Sequence, residues 1–253
     1  MGLAAFTSGP IAHRCLHDVA NGRPENSWEA LDAAMDRGLA VEIDIQLSSD
    51  GQAMVFHDTG LERLTEKTGF VAKYTALELS EIPLAGGMKC IPTLRAFLDN
   101  IDGRIPVLIE IKDQSGNLGE AESGIEQAVC DALKGHERTV ALMSFNPHVI
   151  SRCQEIAPDI PRGLVTDPFN ADDWPNVSKE RRDELALIGD YETLGASFIS
   201  HNVADLSSYA VKRVKKMGGI VFCWTVRSQA QDDKAREVAD SVTFEGYLPI
   251  GVS

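Results

Sequence analysis

Short β-rich apolar runs alternate with longer stretches of helical periodicity along the whole chain. The apolar runs fall at 11–14, 40–47, 105–111, 140–145, 162–165, 197–200, 220–226 and 241–244, and predict eight strands. Helical patterns lie between them at 27–37, 93–100, 119–134, 148–156, 181–187, 207–216 and 230–238. Some carry end signals, such as Asn26 before Ser27 and Gly218-Gly219 after the basic turn at 212–216. This alternation is the mark of βαβ units and a parallel sheet. Eight strands in 253 residues predict an α/β protein, a (β/α)8 TIM barrel forming a single domain over 1–253.

The rhythm breaks at 58–92, where Gly60, Gly69, Gly86, Gly87, Pro83 and Pro92 stand between one strand and the next helix. The segment reads as a short loop-rich insertion after the second strand region, of the kind that shapes the active-site face of a barrel. A second long polar connection runs over 167–178.

Composition, 43% hydrophobic and 25% charged, is that of a globular protein, and no apolar run approaches the length of about 20 residues needed to cross a bilayer. No stable membrane association is expected. The N-terminal MGLAAFTSGP shows no export or lipidation signal, with Phe6 where a myristoylation motif wants Ser or Thr. Five cysteines without C-x-x-C spacing argue against a cysteine zinc site or a complete disulfide framework, and point to a reducing cytoplasm. A net charge of −14 disfavours nucleic acid as a partner. It leaves room for a small anionic substrate, because a local cluster of cations reverses the potential in one pocket. Nothing in the pattern speaks to oligomeric state.

Candidate chemistry concentrates at the strand ends. His13-Arg14 closes the first apolar run and pairs a titratable ring with a fixed cation; His57 follows AMVF. Glu42 and Asp44, at i and i+2, share one face of the second strand, as Glu110 and Lys112 do on the third. The three carboxylates suit one hard divalent cation, Mg2+ or Ca2+, while Arg14 and Lys112 suit a phosphorylated substrate. Glu25 and Asn26 lie in the first strand-to-helix connection. There Glu25 is placed to orient a ligand or reach the metal, and Asn26 to contact substrate or cap the helix. Trp224 ends a late strand, where its indole can pack on the apolar part of a substrate. Singly, each has a duller reading as a solvated face, a structural histidine or a rim tryptophan. Together they gather at the C-terminal ends of strands one to three, where barrel enzymes place their chemistry.

These stretches resemble the motifs of the glycerophosphodiester phosphodiesterases: HRG, PENT, E-x-D, a strand ending HD, and E-x-K. The matching residues are His13-Arg14-Cys15, Pro24-Glu25-Asn26-Ser27, Glu42-Ile43-Asp44, His57-Asp58 and Glu110-Ile111-Lys112. The likeness continues through SFNPHVI to the WTV at Trp224. It implies metal-dependent hydrolysis of a glycerophosphodiester to an alcohol and glycerol 3-phosphate. His13 and His57 become the acid/base pair; His13 is assigned as base and His57 as acid, an order the sequence leaves open. Glu42, Asp44 and Glu110 become the metal ligands, and Arg14 and Lys112 the phosphate clamps. The same scaffold also fits a lysophospholipase D or a sugar-phosphodiester phosphodiesterase, and, in another class, a non-catalytic phosphodiester- or phosphosugar-binding barrel. The chain departs from the pattern at Cys15, which replaces a glycine, at Ser27, which replaces threonine, and at 240–245, where DSVTFE replaces DGI-x-TD. His17 is a further candidate proton donor or substrate contact, with a surface role expected.

Overall fold

Alternation along the strands divides the core in two. On β2 (Ala40–Leu47), Val41, Ile43 and Ile45 pack outward against the helices, while Ala40 joins an inner cluster with Ile11, Leu108, Met143, Phe198 and Phe222. Both faces of such a sheet are covered, so the strands read as nearly continuous apolar runs. The computed structural model describes residues 3–136 and 140–252; Met1 and Gly2 of the N-terminal segment lie outside them.

Eight parallel strands close the barrel: β1 (Ile11–Ala12), β2, β4 (Val107–Ile111), β5 (Val140–Ser144), β6 (Arg162–Thr166), β7 (Phe198–Asn202), β8 (Ile220–Val226) and β9 (Ser241–Phe244). Closure comes from β1, which pairs with β2 on one side and β9 on the other. The (β/α)8 TIM barrel follows, with each predicted strand overlapping an observed one. Gly163 in β6 is required by packing, since a Cβ there would lie 2.5 Å from the Phe198 ring.

The helices that cover the barrel are α2 (Trp28–Met35), α4 (Leu94–Ile101), α5 (Ile125–Ala132), α6 (Pro147–Ile156), α7 (Lys179–Ala186), α9 (Tyr209–Lys216) and α10 (Gln229–Ala235), and all seven overlap the predicted patterns. Short α1 (Ala4–Thr7) brings Phe6 to the inner cluster, and α8 (Asp190–Thr193) precedes β7. One helix start differs: α5 begins at Ile125 rather than 119, because Asp113 draws the following loop around itself by accepting from the backbone N–H groups of Ser115, Gly116 and Leu118.

The segment after β2 is more ordered than its glycines and prolines predict. A ninth strand, β3 (Ala53–Val55), runs antiparallel to β2, and short α3 (Ala76–Leu79) starts with a Thr75/Glu78 capping box. Met54, Phe56, Leu61, Leu64, Leu79 and Ile82 form a separate apolar cluster beneath it. The irregular backbone therefore has its own core.

Candidate active site

Register explains which strand residues meet. Asp44 pairs directly with Glu110 across β2 and β4, while Glu42 stands two residues lower, one step beyond the Ala12–Val41 pair that ends β1. Glu42 is thus mid-strand in β2, not at its end, because β2 runs on to pair with β3. All three carboxylates are buried, and one oxygen from each lies within 4.8 Å of the others. The Lys112 ammonium donates to Asp44 Oδ1 and to Glu110 Oε1, both at 2.6 Å. Burial opposes ionisation of Asp44, but Lys112, His57 and Arg14 outweigh it and hold the group far below the usual carboxylate range. For Glu42, burial and the neighbouring Asp44 and Glu110 act in the same direction, pushing it well above that range. Burial opposes the charge on Lys112 too, and Asp44 and Glu110 more than restore it.

The turn after β1 holds the next residues in place. Arg14 (φ 50) and Cys15 (φ 66) are both left-handed, a conformation that favours glycine. The Arg14 N–H donates to Glu42 Oε2 at 3.0 Å, and its guanidinium reaches Glu25 Oε1 at 2.7 Å and Asp44 Oδ2 at 3.5 Å. The Cys15 side chain is buried among apolar neighbours, and that burial, with Glu42 and Asp44 nearby, pushes its thiol far up and leaves it inert. Asn26 does not cap α2. Its amide donates to Asp44 Oδ2 at 2.9 Å, its carbonyl accepts from the Asp44 N–H, and Ser27 is the cap, accepting from the Ala30 N–H. Asn26 fixes a carboxylate from behind. Glu25 lies between Arg14 and Arg63, outside the carboxylate cluster.

Each histidine has a carboxylate on Nδ1. His13 Nδ1 lies 2.5 Å from Glu245 Oε2 and His57 Nδ1 2.5 Å from Asp58 Oδ1, so a proton held on each Nδ1 leaves Nε2 as the acceptor, with His13 Nε2 4.0 Å from Glu42 Oε2. Burial lowers the His13 pKa even though Glu245 works to raise it. His13 and then His17 hydrogen-bond Glu245 and hold its carboxyl far below the ordinary range. Glu245 thus fills the rim position of the last strand left open by the departure from DGI-x-TD. His17 is half-buried rather than on the open surface, its Nε2 3.4 Å from Glu245 Oε2.

Beside Glu110, Lys112 and His57 opens a cavity of about 680 Å3 whose apolar wall is Leu118, Phe145, Trp174 and Val177. Trp224 stands behind that wall, its ring 5.5 Å from Phe145, edge to face, and its Nε1 donating to Ser200 O at 3.0 Å. Sequence reasoning missed Arg63, which donates to both Glu25 and Asp58, and Trp174, which comes from the 167–178 connection. Neither sits on a periodic element. The one available signal for Arg63 was its place five residues after Asp58 in the insertion.

The residues present fit a divalent cation. Three crowded, buried carboxylate oxygens form an all-oxygen donor set, and the upward push on Glu42, from burial first and then from Asp44 and Glu110, is one that a cation there would offset.

The model of the Glycerophosphoryl diester phosphodiesterase family matches residues 13–241. A glycerophosphodiester phosphodiesterase of Caldanaerobacter subterraneus subsp. tengcongensis is 31% identical over 227 residues, 85% of this chain and 84% of the relative. A phosphodiesterase of Oleispira antarctica, solved with its product sn-glycerol-3-phosphate, superposes with a TM-score of 0.75 at 24% identity, over 93% of this chain and 92% of that one. A glycerophosphodiester phosphodiesterase of Parabacteroides distasonis gives 0.74 at 20% identity, over 93% and 92%.

Proposed function

The chain belongs to the glycerophosphoryl diester phosphodiesterase family, and on that premise we propose that it hydrolyses glycerophosphodiesters to an alcohol and glycerol 3-phosphate with two histidines as proton carriers. The observation that carries this reading is the pairing of two imidazoles, each held at Nδ1 by a carboxylate, around one cluster of buried carboxylates and cations. A protein that only binds phosphodiesters has no use for two oriented proton carriers.

Glu42, Asp44 and Glu110 would hold one divalent cation, Mg2+ or Ca2+. When bound it would neutralise charge on the phosphodiester oxygens. Arg14 and Lys112 flank the same oxygens and favour the extra negative charge of the transition state. His13 Nε2 takes the proton of the attacking oxygen, either water, which gives glycerol 3-phosphate directly, or the neighbouring glycerol hydroxyl, which gives a cyclic phosphate that water then opens. His57 Nε2 returns a proton to the departing alcohol. Asn26 and Glu25 act as positioning residues, for Asp44 and Arg14 respectively.

The apolar wall of Leu118, Phe145, Trp174 and Val177, backed by Trp224, favours a second reading in which the substrate is a lysophospholipid cleaved on its headgroup side. One diester panel separates the two. Purified protein with Mg2+ or Ca2+ is expected to release glycerol 3-phosphate from glycerophosphocholine or a related diester, and chelation to abolish the release. Headgroup release from a lysophospholipid at a higher kcat/KM selects the second reading. No turnover of any panel member by protein with metal bound would refute both.

A further inference from the structure

The mechanism above draws on His13 and Glu245 of a second cluster and gives its third member, His17, no task. The left-handed turn at Arg14 and Cys15, closed by the His17 N–H donating to Cys15 O at 2.9 Å, folds His17 back beside His13, with ring centroids 6.5 Å apart and edge to face. Glu245, arriving from β9, lies between them. Its Oε2 is 2.5 Å from His13 Nδ1 and 3.4 Å from His17 Nε2, while its other oxygen accepts from Arg227 Nε at 2.8 Å. One ligand atom from each of the three residues lies within 4.8 Å of the others, and all three are half-buried. A separate cavity of about 420 Å3, lined by His17, Asp18, Glu245 and Tyr247, gives an ion a route to the cluster.

We propose that His13, His17 and Glu245 form a second cation site, selective for a transition ion such as Zn2+, and that filling it switches His13 off. The donor set decides the ion. Two imidazole nitrogens and one carboxylate oxygen suit zinc, whereas the all-oxygen cluster of Glu42, Asp44 and Glu110 suits Mg2+ or Ca2+. Tetrahedral zinc with bonds of about 2.0–2.1 Å sets its donors about 3.3 Å apart. The separation of His17 and Glu245 already has that value, and His13 reaches it by swinging away from Glu245 by about 0.8 Å. A fourth position stays open toward the cavity for water.

The chemical consequence follows from the two ring nitrogens. Zinc takes the lone pair at Nδ1, so the single proton of the neutral ring moves from Nδ1 to Nε2. No proton is gained or lost. Nε2 is then occupied and no longer accepts a proton from the attacking oxygen. This inhibitory half rests on the base role proposed for His13; the binding half rests on geometry alone.

The test titrates Mg2+-saturated protein with Zn2+ by calorimetry and with Co2+ by visible absorption, while turnover is followed against each protein's own zinc-free rate. Expected are one tight equivalent beyond Mg2+, the intense bands of four-coordinate Co2+, and loss of turnover as that equivalent fills. His17→Ala and His17→Asn should each weaken the binding at least tenfold and escape the inhibition to the same degree. Absence of a His17-dependent equivalent overturns the site. A His17-dependent equivalent that leaves turnover untouched overturns the switch and the proton role of His13 with it. If no diester is turned over at all, the proposed function fails, and calorimetry still decides the site.

Discussion

The two histidines occupy corners built on opposite plans. His13 sits just past a barrel strand, its side chain 12% exposed, and its carboxylate partner arrives from the neighbouring strand end of β9. His57 follows β3 at the base of the insertion, its side chain 29% exposed, and its partner Asp58 is the next residue in the chain. Both end in the same local geometry, Nδ1 to carboxylate at 2.5 Å. The first corner is fixed by the barrel itself. The second is fixed by the apolar cluster under the insertion and by Arg63, whose side chain is 46% exposed. A base must be aligned before attack, whereas an acid acts late, on a leaving group whose position varies with the alcohol. A rigid corner suits the first task and a loop-borne corner the second.

The strongest test of this division uses the largest effect. His13→Ala and His57→Ala are each expected to lower kcat by about 10²- to 10⁴-fold on an alkyl diester, the usual size of a general acid–base contribution. On a glycerophosphodiester with a p-nitrophenol leaving group, which departs without protonation, His57→Ala should recover most of its rate and His13→Ala should not. Recovery by His13→Ala instead would exchange the two roles. Near-normal turnover of either variant on the alkyl diester removes that residue from the chemistry.

The partners of the histidines should rank in the same order. Glu245→Gln keeps an acceptor but loses the charge, and the expected loss is about 10- to 100-fold, as for groups that orient a reacting or ligating residue. The carboxylate works to raise the His13 pKa, so its removal lowers that pKa further, and the acid limb of kcat/KM should move to lower pH. An unmoved limb would mean that Glu245 has no electrostatic hold on His13. Arg63→Ala removes an exposed guanidinium from Glu25 and Asp58, for which about a fivefold loss or less is expected. A greater loss for Arg63→Ala than for Glu245→Gln, measured side by side, would reverse the view that the barrel-borne corner is the more finely set.

The contrast also marks what the sequence makes legible. Glu42 with Asp44 and Glu110 with Lys112 are readable because strand periodicity puts each pair on one face and the barrel puts both faces inside. His13 is readable as the end of an apolar run. Glu245 is not readable as its partner, because 232 residues separate them and only closure of the barrel between β9 and β1 brings them together. Arg63 and Trp174 lie on connections without a period and Phe145 directly follows β5, so their convergence on one cavity is a property of tertiary packing. Asn26 is legible as a functional position but not in its task, since nothing local distinguishes a cap from a residue that grips Asp44.

The departure at Cys15 separates backbone conformation from side-chain packing in the better-fixed corner. A non-glycine residue in the left-handed region costs about 1–2 kcal/mol, and Cys15 holds φ 66 there. Glycine would remove that cost, but it would also empty the space of a side chain that is 1% exposed and packed in the outer core. A cavity of that size costs about the same amount in the opposite direction. Cys15→Gly is therefore expected to change stability by no more than about 1 kcal/mol in denaturant unfolding. Turnover should change less than twofold, because the buried thiol touches no reacting atom and the Arg14 N–H still reaches Glu42 through backbone alone. A large gain in stability would show that the native turn is strained and the thiol poorly packed. A large loss in turnover at unchanged stability would show that the cysteine side chain, rather than the turn, sets the position of Arg14.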